Sequence, residues 1–315
     1  MRHRLRMIRP QLLAAALTAL ALLSGGVACG SSGKGSGATN NSPAAAFPVT
    51  VGSLTLTQQP QRIVSLSPTA TEMLFAIDAG KQVVAVDDQS NYPAAAPKTD
   101  LSGFKPNAEA IAAKNPDLVV LANDIDKIVD QLATLKIPTY LAPAANVIDD
   151  TYRQINDLGK LTGHRGEASM VVDRMSNELD KLVEDAPAHA KQLTYYYELD
   201  PTLYTVTSKT FIGSVFASVG LVNVADGASK DDNQYPQLSP EVLVQLNPDM
   251  IFLADSKCCA QSKQTVSARA GWSGITAVKA GQVFPLDDDI ASRWGPRVVD
   301  LLRAVVEATA KVPAS

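Results

Sequence analysis

One sequence pattern occurs twice in the chain, and its two copies begin 132 residues apart. The first copy, Asn107–Asn123, reads NAEAIAAKNPDLVVLAN, and the second, Ser239–Asp255, reads SPEVLVQLNPDMIFLAD. Each copy has an apolar-periodic segment, then Asn-Pro-Asp and a run of apolar residues. A residue before proline is disfavoured in the helical region, so each copy predicts a short helix, a sharp break and a buried strand. Two copies predict two similar α/β lobes with a place to bind something between them.

The start of the chain indicates where such lobes work. Four arginines lie between positions 2 and 9, followed by the apolar run Leu12–Leu23 and then small residues before Cys29. The run is too short for a comfortable membrane span and is typical of a signal-peptide core, which we assign to residues 1–28. The segment before Cys29 resembles a bacterial lipobox, although Gly26 stands where an aliphatic residue is usual. We expect Cys29 to carry a lipid; the alternative is an ordinary signal peptide with Cys29 incidental.

Residues 29–47 are rich in Gly, Ser, Ala and Asn and predict a flexible tether. Without the four leader arginines, 24 basic and 32 acidic side chains remain, a net charge of −8. This excess of acid argues against nucleic acid as a partner and against electrostatic attachment to anionic lipid. A body of about 270 residues is more than one core usually holds and suits two lobes.

The pattern of strands and helices predicts an α/β fold with two lobes and largely parallel sheets. Residues 48–162 form the first lobe, residues 163–190 a bridging helix, and residues 191–315 the second lobe. The bridging helix rests on Glu167–Ala186, whose apolar residues recur with helical spacing. Tyr195-Tyr196-Tyr197 predicts a strand whose rings alternate between core and surface.

Several segments resemble the periplasmic binding proteins of cobalamin and ferric-siderophore ABC importers. Arg62–Pro93 (RIVSLSPTATEMLFAIDAGKQVVAVDDQSNYP) is similar to the opening of that family, most of all to its cobalamin-binding member. The segments 107–122, 204–224 and 235–253 match the family in the same order. The resemblance implies two lobes joined by one rigid helix, with the ligand in the cleft and little hinge motion.

The resemblance also implies that two glutamates dock onto arginines of the membrane permease. Glu72 lies in the first helix of the first lobe, and Glu241 opens the repeat helix of the second. The alternative interpretation is that both are acids favoured near a helix N-terminus, which suits Glu241 better than Glu72. Glu109, the counterpart of Glu241 in the first copy, is read as such a helix-terminal acid.

Loops at the carboxyl ends of parallel strands are expected to line the cleft. They are Ser67-Pro68, Gln89–Tyr92, Gly103–Lys105, Ser208–Phe211, Gln234-Tyr235 and Ser292–Trp294. From them we predict seven ligand-binding residues: Ser67, Tyr92, Phe104, Ser208, Tyr235, Arg293 and Trp294. Aromatic faces suit a large flat ligand, and Arg293 has the geometry to bind a carboxylate, a phosphate or a metal-chelating oxygen. For each aromatic residue, ordinary packing under a loop is the alternative.

Cys258 and Cys259 are adjacent in the sequence. Outside the cell two thiols seldom stay free, so we expect a vicinal disulfide; a metal–thiolate pair and two bridges to a partner are alternatives. Adjacent cysteines are poor joint zinc ligands, and no further cysteine or histidine stands nearby.

The sequence offers little for catalysis. His3 falls in the leader, whereas His164 and His189 flank the predicted bridging helix. Neither a nucleophile triad nor a phosphate-binding loop is visible, and three histidines are too few for a zinc or manganese binding protein. Asp287-Asp288-Asp289 is read as a turn leading to a helix rather than a cation site. We predict no enzyme activity, no metal site and no cofactor, with a metal–organic complex as the bound ligand.

These observations lead to a surface-tethered solute-binding protein that serves an ABC permease and its ATPase. A corrinoid such as cobalamin is the first choice of ligand. A ferric siderophore is the second, because of Arg293 and Arg297, and haem is the third. We expect an exported monomer anchored by lipid to the outer face of the bacterial cell membrane. A sensor or scaffold lipoprotein outside transport is the competing class.

Overall fold

The computed structural model describes residues 47–229 and 233–313. The predicted signal peptide, Cys29 and nearly all of the predicted tether lie outside these residues. An antiparallel hairpin opens the described chain, with β1 at Val49–Val51 and β2 at Leu54–Leu56.

The first parallel sheet follows the hairpin and has the strand order β4–β3–β5–β6. Its strands are β3 (Ile63–Leu66), β4 (Val83–Val86), β5 (Leu118–Leu121) and β6 (Thr139–Leu141). Its helices are α1 (Pro68–Ala76), α2 (Ala108–Ala112), α3 (Ile128–Thr134) and α4 (Ile148–Thr162). The 20-residue helix α5 (Arg165–Glu184) then leads to the second half of the chain.

The second parallel sheet has the order β8–β7–β9–β10, the same pattern one repeat later. Its strands are β7 (Thr194–Glu198), β8 (Val222–Asn223), β9 (Met250–Leu253) and β10 (Val283–Pro285). Its helices are α6 (Phe211–Ala217), α7 (Pro240–Leu246), α8 (Lys263–Ser267), α9 (Thr276–Lys279), α10 (Asp288–Ala291) and α11 (Val298–Thr309). The predicted fold class is therefore confirmed: two α/β lobes are built on parallel sheets of one topology.

The two sequence copies fold as predicted, each as helix, break and strand. Asn247 caps the C-terminus of α7, and Asn115 stands in the turn that follows α2; both are left-handed, with φ of 47° and 49°, which asparagine tolerates better than most residues. The following aspartates bind the start of the neighbouring central strand. Asp117 Oδ2 accepts from the backbone N–H of Arg62 at 3.0 Å, and Asp249 Oδ2 accepts from the backbone N–H of Thr194 at 3.0 Å. Each Asn-Pro-Asp thus ends a helix and ties two adjacent strands together.

One apolar core is continuous across both lobes. It includes Ile63 of β3, Tyr195 and Tyr197 of β7, and Met175 of α5. Two smaller cores, around Val64 in the first lobe and around Tyr196 in the second, cover the opposite faces of the sheets.

The prediction that the three tyrosines alternate between core and surface is wrong. Tyr195, Tyr196 and Tyr197 are all buried, because both faces of the second sheet are covered. The Tyr197 hydroxyl donates to the backbone carbonyl of Ala291 at 2.8 Å, whereas the Tyr196 hydroxyl has no hydrogen-bond partner among the described residues.

The sequence analysis missed several short elements of the second lobe: β8, α8, α9 and α10. Each has five residues or fewer, too few to show a periodicity. Among residues 47–229 and 233–313, no helix is long and apolar enough to cross a membrane.

Replacing Asp249 with alanine tests the link made by the repeat. The variant loses bonds to the Thr194 backbone N–H and hydroxyl and to Lys191, so we expect the free energy of unfolding to fall by about 1–3 kcal/mol. Urea denaturation measures this, with the exposed Glu109→Ala as a control expected to stay within about 0.5 kcal/mol. Equal stability of the Asp249 variant and the wild type would show that the repeat does not fasten the strands.

Candidate functional site

A cavity of about 360 Å³ lies at the carboxyl ends of the first sheet's strands, against the segment that follows β10. Four of the predicted ligand-binding residues line it: Ser67, Phe104, Arg293 and Trp294. Asp87, Gln89 and Asn123 add polar groups from the ends of β4 and β5. The structure thus brings residues from both halves of the chain to one site.

Ser67 has a structural task at this site. It directly follows β3 and caps α1, and its hydroxyl accepts from the backbone N–H of Ala70 at 3.2 Å. The side chain is 2% exposed, so its contribution to the cavity is a rigid rim rather than a free hydroxyl.

The indole of Trp294 is fixed, whereas the ring of Phe104 is not. Trp294 Nε1 donates to Gln154 Oε1 of α4 at 3.1 Å, and the Trp294 carbonyl accepts from the Thr151 hydroxyl at 2.8 Å. Phe104 is 69% exposed and stands at the edge of the cavity. One rigid and one exposed aromatic face therefore border the site.

Glu72 lies at the centre of a buried ion-pair network. Its side chain is 1% exposed and binds the guanidinium groups of Arg293 and Arg297. Arg293 Nη1 donates to Glu72 Oε1 at 2.8 Å, and Arg297 Nε donates to Glu72 Oε2 at 2.9 Å. These contacts join α1 of the first lobe to the segment between α10 and α11.

The donors of Arg293 are largely occupied. Its terminal nitrogens also donate to Asn91 Oδ1 at 2.9 Å, to the Gln89 carbonyl at 3.1 Å and to Asp289 Oδ1 at 2.8 Å. With the bond to Glu72, four contacts account for the four hydrogens on those two nitrogens. Arg293 therefore borders the cavity with its charge balanced by Glu72 and Asp289.

The structure corrects the predicted docking role of Glu72. A carboxylate that is 1% exposed and bound to two arginines of its own chain does not reach the surface of another protein. Glu241, in contrast, is exposed in the first turn of α7, where hydrogen bonds from its own backbone N–H and from the Ser239 hydroxyl lower the pKa of its carboxyl group. The docking role of Glu241 stays a prediction.

The remaining predicted ligand-binding residues lie outside this cavity. Tyr92 is 46% exposed and stacks on the Arg297 guanidinium, 4.2 Å from the ring centroid. Ser208 lines a separate cavity of about 340 Å³, and its backbone N–H donates to Asp226. Tyr235 is 48% exposed and lines neither cavity.

Cys258 and Cys259 are free thiols, contrary to the expected vicinal disulfide. Asp288, at the start of α10, holds their loop, because its carboxylate accepts from the backbone N–H groups of Lys257 and Cys258. Lys257 in turn binds Asp287 and Asp289. The three consecutive aspartates thus anchor this loop and, through Asp289, orient Arg293.

Within the described residues, no group of three His, Cys, Asp or Glu side chains is placed to hold a metal ion.

Two buried carboxyl groups in the second lobe were not predicted from the sequence. Arg269 binds both oxygens of Glu198 at 2.6 Å, whereas neither oxygen of Asp255 has a donor within the described part of the chain. Glu198 ends β7 and Asp255 follows β9, so parallel pairing brings them together. Burial, followed by the Glu198 carboxylate, raises the pKa of Asp255 to about 7. The sequence signal that could have pointed to this pair is the position of Asp255 as the last residue of the second repeat copy.

Comparison with known proteins agrees with this architecture. The model of the family described as "Periplasmic binding protein" matches residues 63–290. The ABC transporter substrate-binding lipoprotein YvrC of Bacillus subtilis (strain 168) is 28% identical over 314 residues, covering 95% of this chain and 96% of that protein. A cobalamin-binding protein of Halobacterium salinarum is 28% identical over 279 residues, 84% of this chain and 75% of that protein.

Solved structures show the same fold. The vitamin B12 binding protein BtuF of Vibrio cholerae superposes with a TM-score of 0.68 at 23% identity, covering 80% of this chain and 97% of its own. The haem-binding protein RhuT of Roseiflexus sp. RS-1 gives 0.70 at 21% identity, with coverages of 79% and 99%. Together with the family match over residues 63–290, this two-lobed fold is that of a solute-binding protein. The chain belongs to the periplasmic binding protein family, as its segments predicted.

Replacing Glu72 with alanine distinguishes the buried network from a docking surface. The variant takes the carboxylate away from the largely buried Arg297 guanidinium and leaves Arg293 paired with Asp289 alone, so we expect the free energy of unfolding to fall by about 3–5 kcal/mol. Thermal and urea unfolding measure the loss. The exposed Glu241→Ala is the matched control, expected to change stability by about 0.5 kcal/mol or less. A Glu72 variant as stable as this control would contradict the network.

The pair formed by Glu198 and Asp255 predicts a pH dependence of stability. The folded chain holds a proton on Asp255 that the unfolded chain releases at ordinary carboxyl pH, so folding takes up a proton between that range and pH 7. Stability should therefore fall as the pH rises towards about 7 and then level off. Asp255→Asn should flatten this part of the curve and stabilise the protein at pH 8. Urea denaturation between pH 5 and 8 measures the free energy of unfolding of both proteins. If its slope against pH is the same in Asp255→Asn as in the wild type, the pair shares no proton.

Proposed function

We propose that this protein is the solute-binding component of an ABC importer and that its ligand is a corrinoid such as cobalamin. Its mechanism is selective capture in the cleft and delivery to a membrane permease driven by an ATPase. Membership of the family and the likeness to YvrC and to the cobalamin-binding protein of Halobacterium salinarum support the class.

The charge of the cleft is the observation that carries the choice of ligand. Arg293 is the arginine that lines the cavity, and Glu72 and Asp289 already balance its charge. Asp87 is a second carboxyl group on the same wall. Haem propionates and ferric catecholates bring negative charge and need uncompensated cations to replace their hydration. A corrin with neutral amide side chains has no such need.

The walls of the cleft suit a flat macrocycle. Trp294 offers an indole fixed by Gln154, and Phe104 an exposed ring at the edge. Aromatic faces bind large, weakly polar surfaces, while a few fixed polar groups set the orientation. In this proposal Arg293 and Arg297 shape the cleft through Glu72, instead of binding a siderophore as the sequence suggested.

The remaining assignments complete the proposal. Cys29 is lipidated after removal of residues 1–28, and the monomer stays tethered at the outer face of the cell membrane. Glu241 docks on the permease, supported by its exposure at the start of α7. Uptake by cells that carry Glu241→Ala, compared with the exposed Glu109→Ala, examines this role: equal uptake by the two variants would exclude it.

Calorimetric titration of the purified protein tests the choice of ligand. We expect cyanocobalamin to bind with a dissociation constant below 1 μM, about −8 kcal/mol or more favourable. Haem and a ferric catecholate should bind at least about tenfold more weakly, because the cleft does not offer the uncompensated positive charge that their anionic groups need. A ferric hydroxamate, which brings no such negative charge, should also bind at least about tenfold more weakly, because it presents no flat macrocycle to Trp294 and Phe104. Tighter binding of haem or of either siderophore than of cyanocobalamin would refute the corrinoid assignment and leave the family unchanged.

A further inference from the structure

Asn123 is the first-lobe counterpart of Asp255, and the two side chains have opposite surroundings. Each ends its copy of the sequence repeat, just beyond strand β5 or β9. The last residue of the adjacent central strand is Glu198 in the second lobe and Leu66 in the first. Asp255 thus has a polar neighbour inside its lobe and is buried, whereas Asn123 has an apolar neighbour and is exposed.

The carboxamide of Asn123 is free and borders the candidate ligand cavity. Asn123 belongs to the wall of the cavity of about 360 Å³ at the carboxyl ends of the first sheet's strands. Within the described residues, its side chain makes no hydrogen bond. Both of its N–H donors and its carbonyl acceptor are therefore available to a ligand.

Gln89 provides a second free carboxamide in the same cavity. It follows β4, is exposed, and uses only its backbone carbonyl, which accepts from Arg293. In the sheet, β4 and β5 lie on either side of β3. Adjacent strands are about 4.8 Å apart, so the strand ends that precede the two carboxamides are separated by about 10 Å.

The other polar side chains of the wall are bound within the protein or buried. The Arg293 guanidinium and the Asp289 carboxylate bind each other. The Trp294 indole N–H donates to Gln154, and the Ser292 hydroxyl donates to a backbone carbonyl. Three further polar residues of the wall are 3% exposed or less: Ser67, Thr69 and Asp87. Among the described residues of this wall, the free and exposed polar side chains are therefore two neutral carboxamides.

We propose that Asn123 and Gln89 bind primary amides on the periphery of the ligand and so determine its specificity. The proposal rests on the corrinoid function proposed above, because a corrin carries such amides around its ring. A primary amide and a carboxamide side chain each have a donor and an acceptor, so they form two complementary hydrogen bonds. A carboxylate at the same place has acceptors only, and one of its oxygens faces the carbonyl oxygen of the side chain. The two residues therefore favour an amide over an acid.

Alanine substitutions, measured by calorimetry with cyanocobalamin, test the two contacts. Asn123→Ala and Gln89→Ala remove hydrogen bonds that form only in the complex, so each should weaken binding about fivefold or more. The double variant should lose the product of the two factors, because sites about 10 Å apart act independently. The exposed Asn177→Ala on α5, outside the cavity, is the matched control and should bind like the wild type. Wild-type affinity in either single variant would overturn the proposal.

Cobalamin derivatives in which one side-chain amide is converted to a carboxylate separate a specific contact from a general disturbance of the cleft. Asn123→Asp keeps an acceptor for an amide N–H but repels a ligand carboxylate beside it. One monoacid should therefore lose about tenfold more affinity than the parent compound and the other monoacids do. An equal loss for the parent compound and every monoacid would show that Asn123 supports the cleft without binding an amide, and would overturn the proposal.

Titration of the wild type distinguishes an error in these contacts from an error in the ligand. If the wild type and both alanine variants bind cyanocobalamin equally well, the amide contacts are wrong and the corrinoid function stands. If the wild type does not bind cyanocobalamin, the corrinoid function is wrong and the amide contacts fail with it.

Discussion

The buried ion pairs of Glu72 with Arg293 and Arg297 are the constraint on which the rest of the site depends. They connect residues 221 and 225 positions apart in the sequence, from the first helix to the segment before the last. Breaking such a group leaves buried charge uncompensated, at a cost of about 3–5 kcal/mol. These ion pairs therefore hold the segment that carries Trp294 at the cavity and keep the Arg293 guanidinium turned towards Glu72. The cleft is therefore a rigid surface with balanced charge, which is suited to a neutral ligand of fixed shape.

Patterns within short segments predicted much of the architecture. The repeated Asn-Pro-Asp indicated two equivalent lobes, and the structure shows why the pattern recurs: Asn115 and Asn247 turn the chain away from the preceding helix, while Asp117 and Asp249 fasten the central strands. The order of strands in the two sheets is the same, as two copies of one unit require. A long stretch of apolar periodicity also predicted helix α5 between the lobes, and the predicted ends lie within a few residues of the observed ones.

Side-chain partners across the cleft were not predictable in the same way. Glu72 looked like an exposed acid, because nothing near it in sequence reveals two arginines that fold back from the other end of the chain. The prediction for the three tyrosines of β7 was wrong for a related reason. Buried and exposed side chains alternate along a strand when one face of the sheet is exposed to solvent, whereas here both faces are covered.

A crystal structure of the protein with cyanocobalamin tests whether the cleft binds a corrinoid without releasing its ion pairs. We expect a corrin between the lobes with one face towards Trp294, and Arg293 still paired with Glu72 and Asp289. A complex in which Arg293 leaves Glu72 to bind the ligand, or in which the corrin lies away from this cavity, would contradict it.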